Sequence, residues 1–503
     1  MTAARRFLQA SSLGCAALFA PVAALGIEGF DLPRELALSC GALFALAALG
    51  SARQPRSAAG LADRLLLATC ALAALSACLG VNGFIGLRAT LFWLGCVATF
   101  TAARALAAEG HAEALLQAAG LGVLLVAASV LGEAFGLFSW SLPGRAPGGL
   151  LGHRNYAAHF LALGLPLLLW LFVAQGRRLA LAALVLAAAA LAITRCRTAW
   201  IGAALALVVF AVWLRAAPRA RAAAVALAAG VAFAVLVPNR LAWGSGHPYL
   251  ETLASLTDLR SGSGGGRLAQ ARVTLAMIAA HPLLGVGPGG WTVEYSGFAP
   301  PGDPTVQPMR MWQTPLRATS DWLGLTAERG VPAALLLLAA LALLARAALR
   351  DDDRPRGAAL LALLAAALPM TLFDCPLQVA APAQLFFLCA GALAPPAQGP
   401  PWRLPRALRG ALAALGCGAL LFLAAQLAAG VLIGRPTMEE RELAARLAPG
   451  NPRLQVLAAA SWLERGQPAR CVPLAERALR ISPGFQLAQA LAQQCRARSQ
   501  GAR

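Results

Sequence analysis

The sequence of 503 residues contains no lysine and few charged residues of either sign. Only 13% of the residues are charged, whereas 59% are hydrophobic and the mean hydropathy is +0.66. A soluble chain of this length would need a far more polar surface, and apolar runs of about twenty residues match the thickness of a bilayer. The composition therefore excludes an ordinary soluble protein and predicts an all-α polytopic membrane protein.

Motifs of paired metal ligands are also lacking. The eleven cysteines include no C-x-x-C pair and no histidine at a ligand spacing, and most of them lie inside apolar runs. We therefore expect no metal site and interpret these cysteines as buried packing residues. The acidic run Asp351 to Asp353 lies between arginines, which favours a solvated loop over a metal-binding motif.

The 42 basic residues are all arginines, and they give the chain a formal charge of +20. Most lie in short loops between apolar runs, so their distribution indicates membrane topology rather than nucleic-acid binding. About thirteen runs approach the length that crosses a bilayer. They fall near residues 7–27, 34–50, 62–82, 86–103, 113–131, 156–174, 179–194, 198–214, 221–237, 322–345, 357–373, 378–395 and 408–433. The first run resembles a signal peptide without a convincing cleavage site, so we expect it to be retained.

Arginines are about three times more frequent on one side of the predicted bundle than on the other. The positive-inside rule then places the N-terminus in the cytoplasm, and the loop 238–321 and the tail 435–503 on the outer, periplasm-like side. Abundant Ala, Gly and Arg without lysine are typical of a GC-rich bacterial genome. We therefore expect a multi-pass protein of a bacterial inner membrane.

The chain divides into four predicted segments. Residues 1–148 hold the N-terminal transmembrane helices, and residues 149–397 form a core that includes the loop 238–321. Residues 398–434 hold the last transmembrane helix, and residues 435–503 form a charged helical tail.

Two Pro-Gly pairs in the tail, Pro449-Gly450 and Pro483-Gly484, are separated by the tetratricopeptide period of about 34 residues. The tail is interpreted either as a docking module for a partner protein or as a small helical cap on the membrane domain. Cys471 and Cys495 are candidates for a disulfide in an oxidising compartment. Because Cys471 occupies a small-residue packing position, we favour packing over pairing.

Five polar features project to the outer side. They are GLLGHRNYAAHFLALGLPLLL (149–169), TRCRTAWIG (194–202), the stretch 261–291 that ends in HPLLGVGPGGW, ATSDWLGLTAERG (318–330) and TLFDCPLQVAAPA (371–383). An isolated interfacial arginine more often extends to lipid headgroups, and GVGPGG is more often a turn than a phosphate cradle. Several arginines that converge on one face are nevertheless suited to a lipid-linked diphosphate.

These five motifs, in this order, resemble the O-antigen ligase superfamily over roughly residues 150–400. The superfamily includes O-antigen ligases, O-antigen and exopolysaccharide polymerases and some protein O-oligosaccharyltransferases, and tetratricopeptide-like tails recur in it. The resemblance implies a membrane glycosyltransferase that needs neither a metal nor another cofactor. It would move a glycan from undecaprenyl diphosphate to a hydroxyl of a glycan, lipid or protein acceptor on the outer face. Other expected partners are membrane lipids and a protein at the tail, but not nucleic acid.

The resemblance also implies roles for individual residues. Arg197 and Arg267 match the family's diphosphate-binding arginines, and Arg195 and Arg272 lie close to them in the sequence. The remaining candidates for a structural or substrate-binding loop are Asn155, Gly287, Gly289, Glu328 and Asp374.

Thr319 stands where the family has its general-base histidine, and a threonine hydroxyl is no base near neutral pH without a neighbour that deprotonates it. His281 and Asp321 are the candidate substitutes in the same region. His153 and His159 belong to the motif 149–169, where His159 is interpreted as a packed or hydrogen-bonded histidine rather than a catalyst. Thr198 and Trp200 are interpreted as packing residues.

Two alternatives remain open at this point. One is a catalytically impaired subunit that binds or assembles lipid-linked glycans. The other is a transporter, which the lack of an inverted repeat and of charges deep within the spans makes less favoured.

Overall fold

The computed structural model describes residues 2–18, 31–50, 60–141, 144–214, 217–255, 262–311, 313–396 and 405–501. Within these residues all regular structure is helical, which confirms the predicted all-α fold. Eight helices are long and apolar enough to cross a membrane, and four shorter apolar helices accompany them. The end of the predicted first span, residues 19–27, lies outside the described residues.

Thirteen helices coincide with the predicted apolar runs. They are α1 (Thr2–Ala17), α2 (Leu32–Gly50), α3 (Leu61–Leu79), α4 (Gly83–Ala108), α5 (Ala112–Ala134), α6 (Arg154–Leu169), α7 (Arg178–Thr194), α8 (Arg197–Leu214), α9 (Ala220–Leu236), α13 (Asp321–Leu349), α14 (Arg354–Phe373), α15 (Ala380–Leu393) and α16 (Arg406–Ile433). A π-helical turn, Trp170–Ala174, extends α6.

The seven remaining α-helices of the described residues lie at one end of this bundle, which we call the loop end. Three belong to the long loop between α9 and α13, and four form the C-terminal tail. They are α10 (Pro248–Ala254), α11 (Gly262–Ala280), α12 (Trp291–Phe298), α17 (Met438–Leu447), α18 (Pro452–Glu464), α19 (Pro468–Ile481) and α20 (Gln486–Gly501).

Helix α6 is the centre of the bundle and contacts α5, α7, α8, α14 and α15. Small residues let neighbouring helices approach closely, as is usual in lipid. A Cβ on Gly202 of α8 would lie 2.4 Å from the carbonyl oxygen of Ala366 in α14, and one on Gly391 of α15 would lie 2.3 Å from that of Phe100 in α4. This packing fixes α6, α8 and α14, whose ends at the loop end carry polar residues.

The tail forms its own small core, in which Trp462 of α18 packs with Ala475 and Ala478 of α19. Cys471 of α19 and Cys495 of α20 form a disulfide, so our preference for packing alone was wrong. The sequence argument failed because a cysteine at a buried helix contact also faces the next helix, where a second cysteine is in reach. The tail is helical as expected, and its assignment to the tetratricopeptide class stays a prediction.

Candidate functional site

Asp374, which directly follows α14 at the loop end, is the centre of a buried polar cluster. Its Oδ2 atom lies 3.2 Å from Asn155 Nδ2 and 3.3 Å from a terminal nitrogen of Arg267. The same oxygen lies 3.5 Å from His159 Nε2, and Oδ1 accepts the backbone N–H of Cys375 at 3.0 Å. Residues from α6, α11 and the end of α14 therefore meet at a single carboxylate.

The charges around Asp374 decide its protonation. Burial by itself would raise the pKa of this carboxyl, but His159, Arg267 and the N–H of Cys375 outweigh it and hold the pKa below the usual range. Asp374 is therefore a fixed negative charge that orients Arg267. The Arg267 side chain keeps 26% of its surface exposed, so an anionic ligand at the loop end has access to it.

His159, fully buried on α6, links Asp374 to the start of α8. Its Nε2 atom lies 3.4 Å from Thr198 Oγ1 and 3.8 Å from Cys196 Sγ. The ligand atoms of His159, Cys196 and Asp374 lie within 4.8 Å of one another, a spacing that a metal ion would accept. Arg267 places a positive charge on the same carboxylate, however, and disfavours a cation there. We therefore interpret the group as a hydrogen-bonded network, in which His159 is the hydrogen-bonded histidine expected from the sequence and Thr198 contributes a hydroxyl beyond packing.

His153 caps the start of α6 at the side of this cluster. Its Nδ1 accepts the backbone N–H of Asn155 at 3.1 Å, and its ring stacks on Tyr156. Burial and the nearby Arg145 lower the pKa of His153 to about 3. The imidazole is therefore neutral and orients Asn155 towards Asp374.

The arginines around the α7–α8 junction hold the first part of the long loop. Arg195 Nε donates to Thr252 Oγ1 at 2.7 Å, and its guanidinium lies 4.8 Å from the centre of the Trp243 ring. Arg197 donates to the carbonyl oxygen of Ser255. These two arginines lie at the loop end, as the sequence indicates, and in this structure both contact the loop.

Arg272 does not join the cluster. It lies on α11 five residues beyond Arg267 and is exposed, next to a shallow cavity lined by Phe298, Pro301 and Asp303. Five residues along a helix turn the side chain by about 140° to another face. Arg272 therefore faces a different side of α11 from Arg267 in this structure, and its role in diphosphate binding stays a prediction.

His281 lies just beyond the other end of α11 from Arg267. Fourteen residues of helix correspond to about 21 Å. The His281 side chain is exposed, with an edge contact to Phe298. This position does not favour His281 as a base for a reaction centred on Arg267.

The glycine-rich loop that follows His281, residues 282–290, is held by backbone hydrogen bonds to neighbouring helices. Val286 and Gly287 donate their N–H groups to the carbonyls of Ala327 and Glu328 in α13, at 2.9 and 3.1 Å. Ser76 of α3 donates to the carbonyls of Leu284 and Glu328. Because these N–H groups already have carbonyl partners, the loop is not a phosphate cradle. We call residues 282–290 the latch.

The latch fits against a break in α13. Gly330 has φ of 82°, and Val331 beyond it donates to the carbonyl of Pro282 at 2.8 Å. A Cβ on Gly287 would lie 2.9 Å from the Cα of Gly80. The Glu328 side chain lies near Arg329 and near the backbone N–H groups of Gly289 and Trp291. Gly287 and Gly289 therefore belong to the latch, and Glu328 of α13 holds it through its carbonyl and its side chain.

Thr319 and Asp321 lie at the start of α13, beside the Asp374 cluster. The N–H of Asp321 donates to the carbonyl of Asp374 at 3.1 Å. The Asp321 carboxylate accepts the N–H of Leu377 at 2.9 Å and Gln378 Nε2 at 3.2 Å. Ser320, between them, caps α13 by accepting from Leu323.

Residues 182–338 match the family model described as O-antigen ligase. The resemblance to the O-antigen ligase superfamily is thereby confirmed. The match supports a membrane protein with a role in glycosyl transfer, of the ligase or polymerase type. A comparison with curated proteins finds no match.

Arg197, Arg267, Thr319 and Asp321 lie inside the matched ligase segment, whereas Asn155 and Asp374 lie outside it. The structure nevertheless brings Asn155 and Asp374 to Arg267. The polar cluster is therefore completed by helices that flank the matched segment.

Sequence reasoning missed Arg317, which forms an ion pair with Asp31 before α2. Arg317 also donates to Tyr156 at 2.8 Å and to the carbonyl of Gln378 at 3.1 Å. Burial would lower the pKa of this guanidinium, but Asp31 outweighs it and raises the pKa well above its usual value. The usable signal was an arginine two residues before Thr319, but its carboxylate partner is nearly three hundred residues away and has no motif.

Proposed function

We propose that this protein is a glycosyltransferase of the bacterial inner membrane, with its loop end in the periplasm. It transfers a glycan from undecaprenyl diphosphate to an acceptor hydroxyl. The observation that carries this proposal is the partly exposed Arg267, held by Asp374 at a point where the five motifs converge. The arginine bias of the sequence supports the orientation, with the N-terminus in the cytoplasm.

The reaction breaks the bond between the anomeric carbon and the diphosphate oxygen, and the electron pair of that bond leaves with the diphosphate. Arg267, with Arg197 next along the loop end, donates hydrogen bonds to the leaving oxygens as their charge grows. The acceptor oxygen forms the new bond on the opposite face of the sugar, so the anomeric configuration inverts. In this proposal the guanidinium groups supply the positive charge that the leaving group requires.

The acceptor's proton must go to a base. Of the three candidates, Asp321 fits this role best, because its carboxylate lines a cavity and its backbone contacts the Asp374 segment. Thr319 supplies a hydroxyl at the same place. His281 fits the role least, because the length of α11 separates it from Arg267.

A second candidate function is a catalytically impaired subunit that only binds lipid-linked glycan. Thr319 in the place of the family's base histidine favours it. In that case the Arg267 cluster binds the diphosphate and no transfer follows.

The two functions are separated by a reconstituted transfer assay with an undecaprenyl-diphosphate-linked oligosaccharide and a panel of glycan, lipid and protein acceptors. For a transferase, Asp321→Asn should reduce the rate by about 10²-fold or more, because the base is lost while the shape is kept. Thr319→Ala should reduce it less. An inert wild type, with activity gained in Thr319→His, would instead identify a binding subunit.

A further inference from the structure

A cavity of about 290 Å³ lies at the loop end, and its lining includes Asp321 at the start of α13 but not Arg267. Membrane helices α2, α4 and α13 form its floor, and the tail forms part of its roof through Asn451, Arg453, Ser482 and Phe485. Its volume is at the lower end of the range of small-molecule sites. The cavity therefore admits the end of a chain-like ligand rather than a large globular one.

The lining of this cavity contains equal numbers of acidic and basic side chains. Four carboxylates and four guanidinium groups contribute to its wall: Asp31, Glu35, Asp321 and Glu328, and Arg88, Arg317, Arg329 and Arg453. Arg88 pairs with Glu35 at 2.7 Å, and Arg317 pairs with Asp31. Because acidic and basic groups are equal in number and four of these eight groups form ion pairs, the wall offers donors and acceptors without an excess of arginines. It therefore suits a neutral polyhydroxyl ligand better than a diphosphate.

Aromatic side chains supply the rest of the wall. Trp93, Trp291 and Trp322 reach it from the membrane domain and the loop, and Phe84 and Phe485 reach it from α4 and the tail. Arg329 lies 4.7 Å from the centre of the Trp93 ring, which fixes both groups. Aromatic faces next to amide, carboxylate and guanidinium groups match the apolar faces and the hydroxyl edges of sugar rings.

Both Pro-Gly turns of the tail are docked on the membrane domain and its loop. At the first turn, Asn82 Nδ2 donates to the carbonyl of Gly450 at 2.9 Å, and a Cβ on Gly450 would lie 2.2 Å from Phe84. At the second, Gln313 Nε2 donates to the carbonyl of Gly484 at 2.7 Å, and Gln313 Oε1 accepts the N–H of Gln486 at 2.9 Å. The contacts at the two Pro-Gly turns therefore hold the tail over the cavity.

We propose that the helical tail completes a saccharide-binding site, in which the cavity between the tail and the membrane helices holds the end of a neutral glycan. Asp321 connects this site to the proposed reaction, since its carboxylate lines the cavity while its N–H contacts the Asp374 segment. The inference rests on the proposed function in one respect only, namely that the bound glycan is a substrate of the transfer.

The test measures binding without transfer, on the full chain in nanodiscs by titration calorimetry. One probe is a neutral oligosaccharide of the lipid-linked donor released from its carrier, and the other is a neutral outer-core oligosaccharide of lipopolysaccharide. Binding of the first probe identifies the cavity as a donor-glycan site, and binding of the second identifies it as an acceptor site. Two docking variants are compared with wild type, Gln313→Ala and Gly450→Val, with the exposed Arg477→Ala of α19 as the matched control.

One of the two probes should bind, and the docking variants should weaken its binding by about tenfold, because part of the wall moves away. Arg477→Ala should bind like wild type. Circular dichroism and the intact Cys471–Cys495 disulfide check that the variant tails are folded. Equal binding by wild type and both docking variants, or binding of neither probe, overturns the proposal. A wild type that binds saccharide but transfers none refutes the proposed function alone.

Discussion

Both ends of α11 adjoin glycine-rich segments, but their polar groups have different partners. At one end Arg267 extends its side chain to Asp374 within a network of charged and polar groups. At the other end the latch uses backbone N–H and C=O groups to join the loop to α3 and α13. The first end presents an exposed charge to a ligand, whereas the second has its polar groups bound within the protein.

This difference shows why a glycine-rich segment in a polar loop is a weak sign of a ligand site. Glycines allow close backbone contact, and that contact uses the N–H groups that a phosphate would need. Glycines also precede Arg267, but the feature that matters at this end is the Arg267 side chain. It remains partly exposed while it is paired with Asp374. Chemistry at the loop end is therefore expected at Arg267 rather than at the latch.

The largest effect should come from the Arg267 end. Arg267→Ala should reduce glycan transfer by about 10²–10³-fold, because a donor aimed at the leaving diphosphate is lost. The measurement is the initial rate of the reconstituted transfer assay. Arg272→Ala, on the exposed face of the same helix, is the control and should change the rate little. Similar losses in both variants would mean that general charge, not the Asp374 cluster, matters.

The next effect concerns stability at the latch. Gly330→Ala should lower the free energy of unfolding by at least about 2 kcal/mol, since its φ of 82° is unfavourable for alanine and the new Cβ would lie 2.0 Å from the Leu283 carbonyl oxygen. Thermal unfolding in detergent measures the change. Gly418→Ala in α16, where a Cβ meets nothing within 4 Å, should be neutral or slightly stabilising. An unchanged melting temperature of Gly330→Ala would mean that the latch can open without cost.

A smaller effect should appear in the pH dependence of stability beside the Asp374 cluster. The pKa of His153 is about 3 in the folded protein and near 6.5 when unfolded, so the unfolded state binds the proton more readily. Stability from this group is complete above pH 6.5 and falls as the pH drops towards 3. Wild type should lose about 3–5 °C more than His153→Asn between about pH 7.5 and pH 4. Identical pH profiles would show that His153 does not titrate as described.

The smallest effect is expected at His281. Because its side chain is exposed and lies about 21 Å along α11 from Arg267, His281→Ala should leave the transfer rate within about twofold. The same assay measures it beside Arg267→Ala. A loss as large as that of Arg267→Ala would restore His281 as the catalytic base and place the reaction at the latch.

Much of the fold was predictable, because the length of each apolar run in the sequence is enough to predict a membrane helix. The thirteen apolar runs correspond to thirteen helices, of which eight are long and apolar enough to cross a membrane, and α13 begins at Asp321 within the motif 318–330. The helical tail was predictable too, whereas its disulfide was not, since pairing depends on which buried cysteines face each other.

The site was predictable in part. Asn155, Arg267 and Asp374 were all named from motifs, and the structure brings them into contact. Arg272 was grouped with Arg267 because the two are close in sequence, and His281 was named as a substitute base for Thr319. A helix separates residues by rise and by angle, so neither residue lies next to the Arg267 side chain in this structure. Arg317 and Asp31 were missed because an ion pair across distant segments leaves no local pattern.

The sequence by itself determined the membrane class, the positions of the apolar helices and the set of polar motifs at the loop end. These features depend on local composition and on the length of each apolar run. Only the tertiary structure decided which polar residues share a carboxylate, which glycines act as a latch and which tail turns cover the cavity. Those outcomes depend on distances between segments that are far apart in the sequence. Helix packing sets these distances, and no local sequence pattern encodes them.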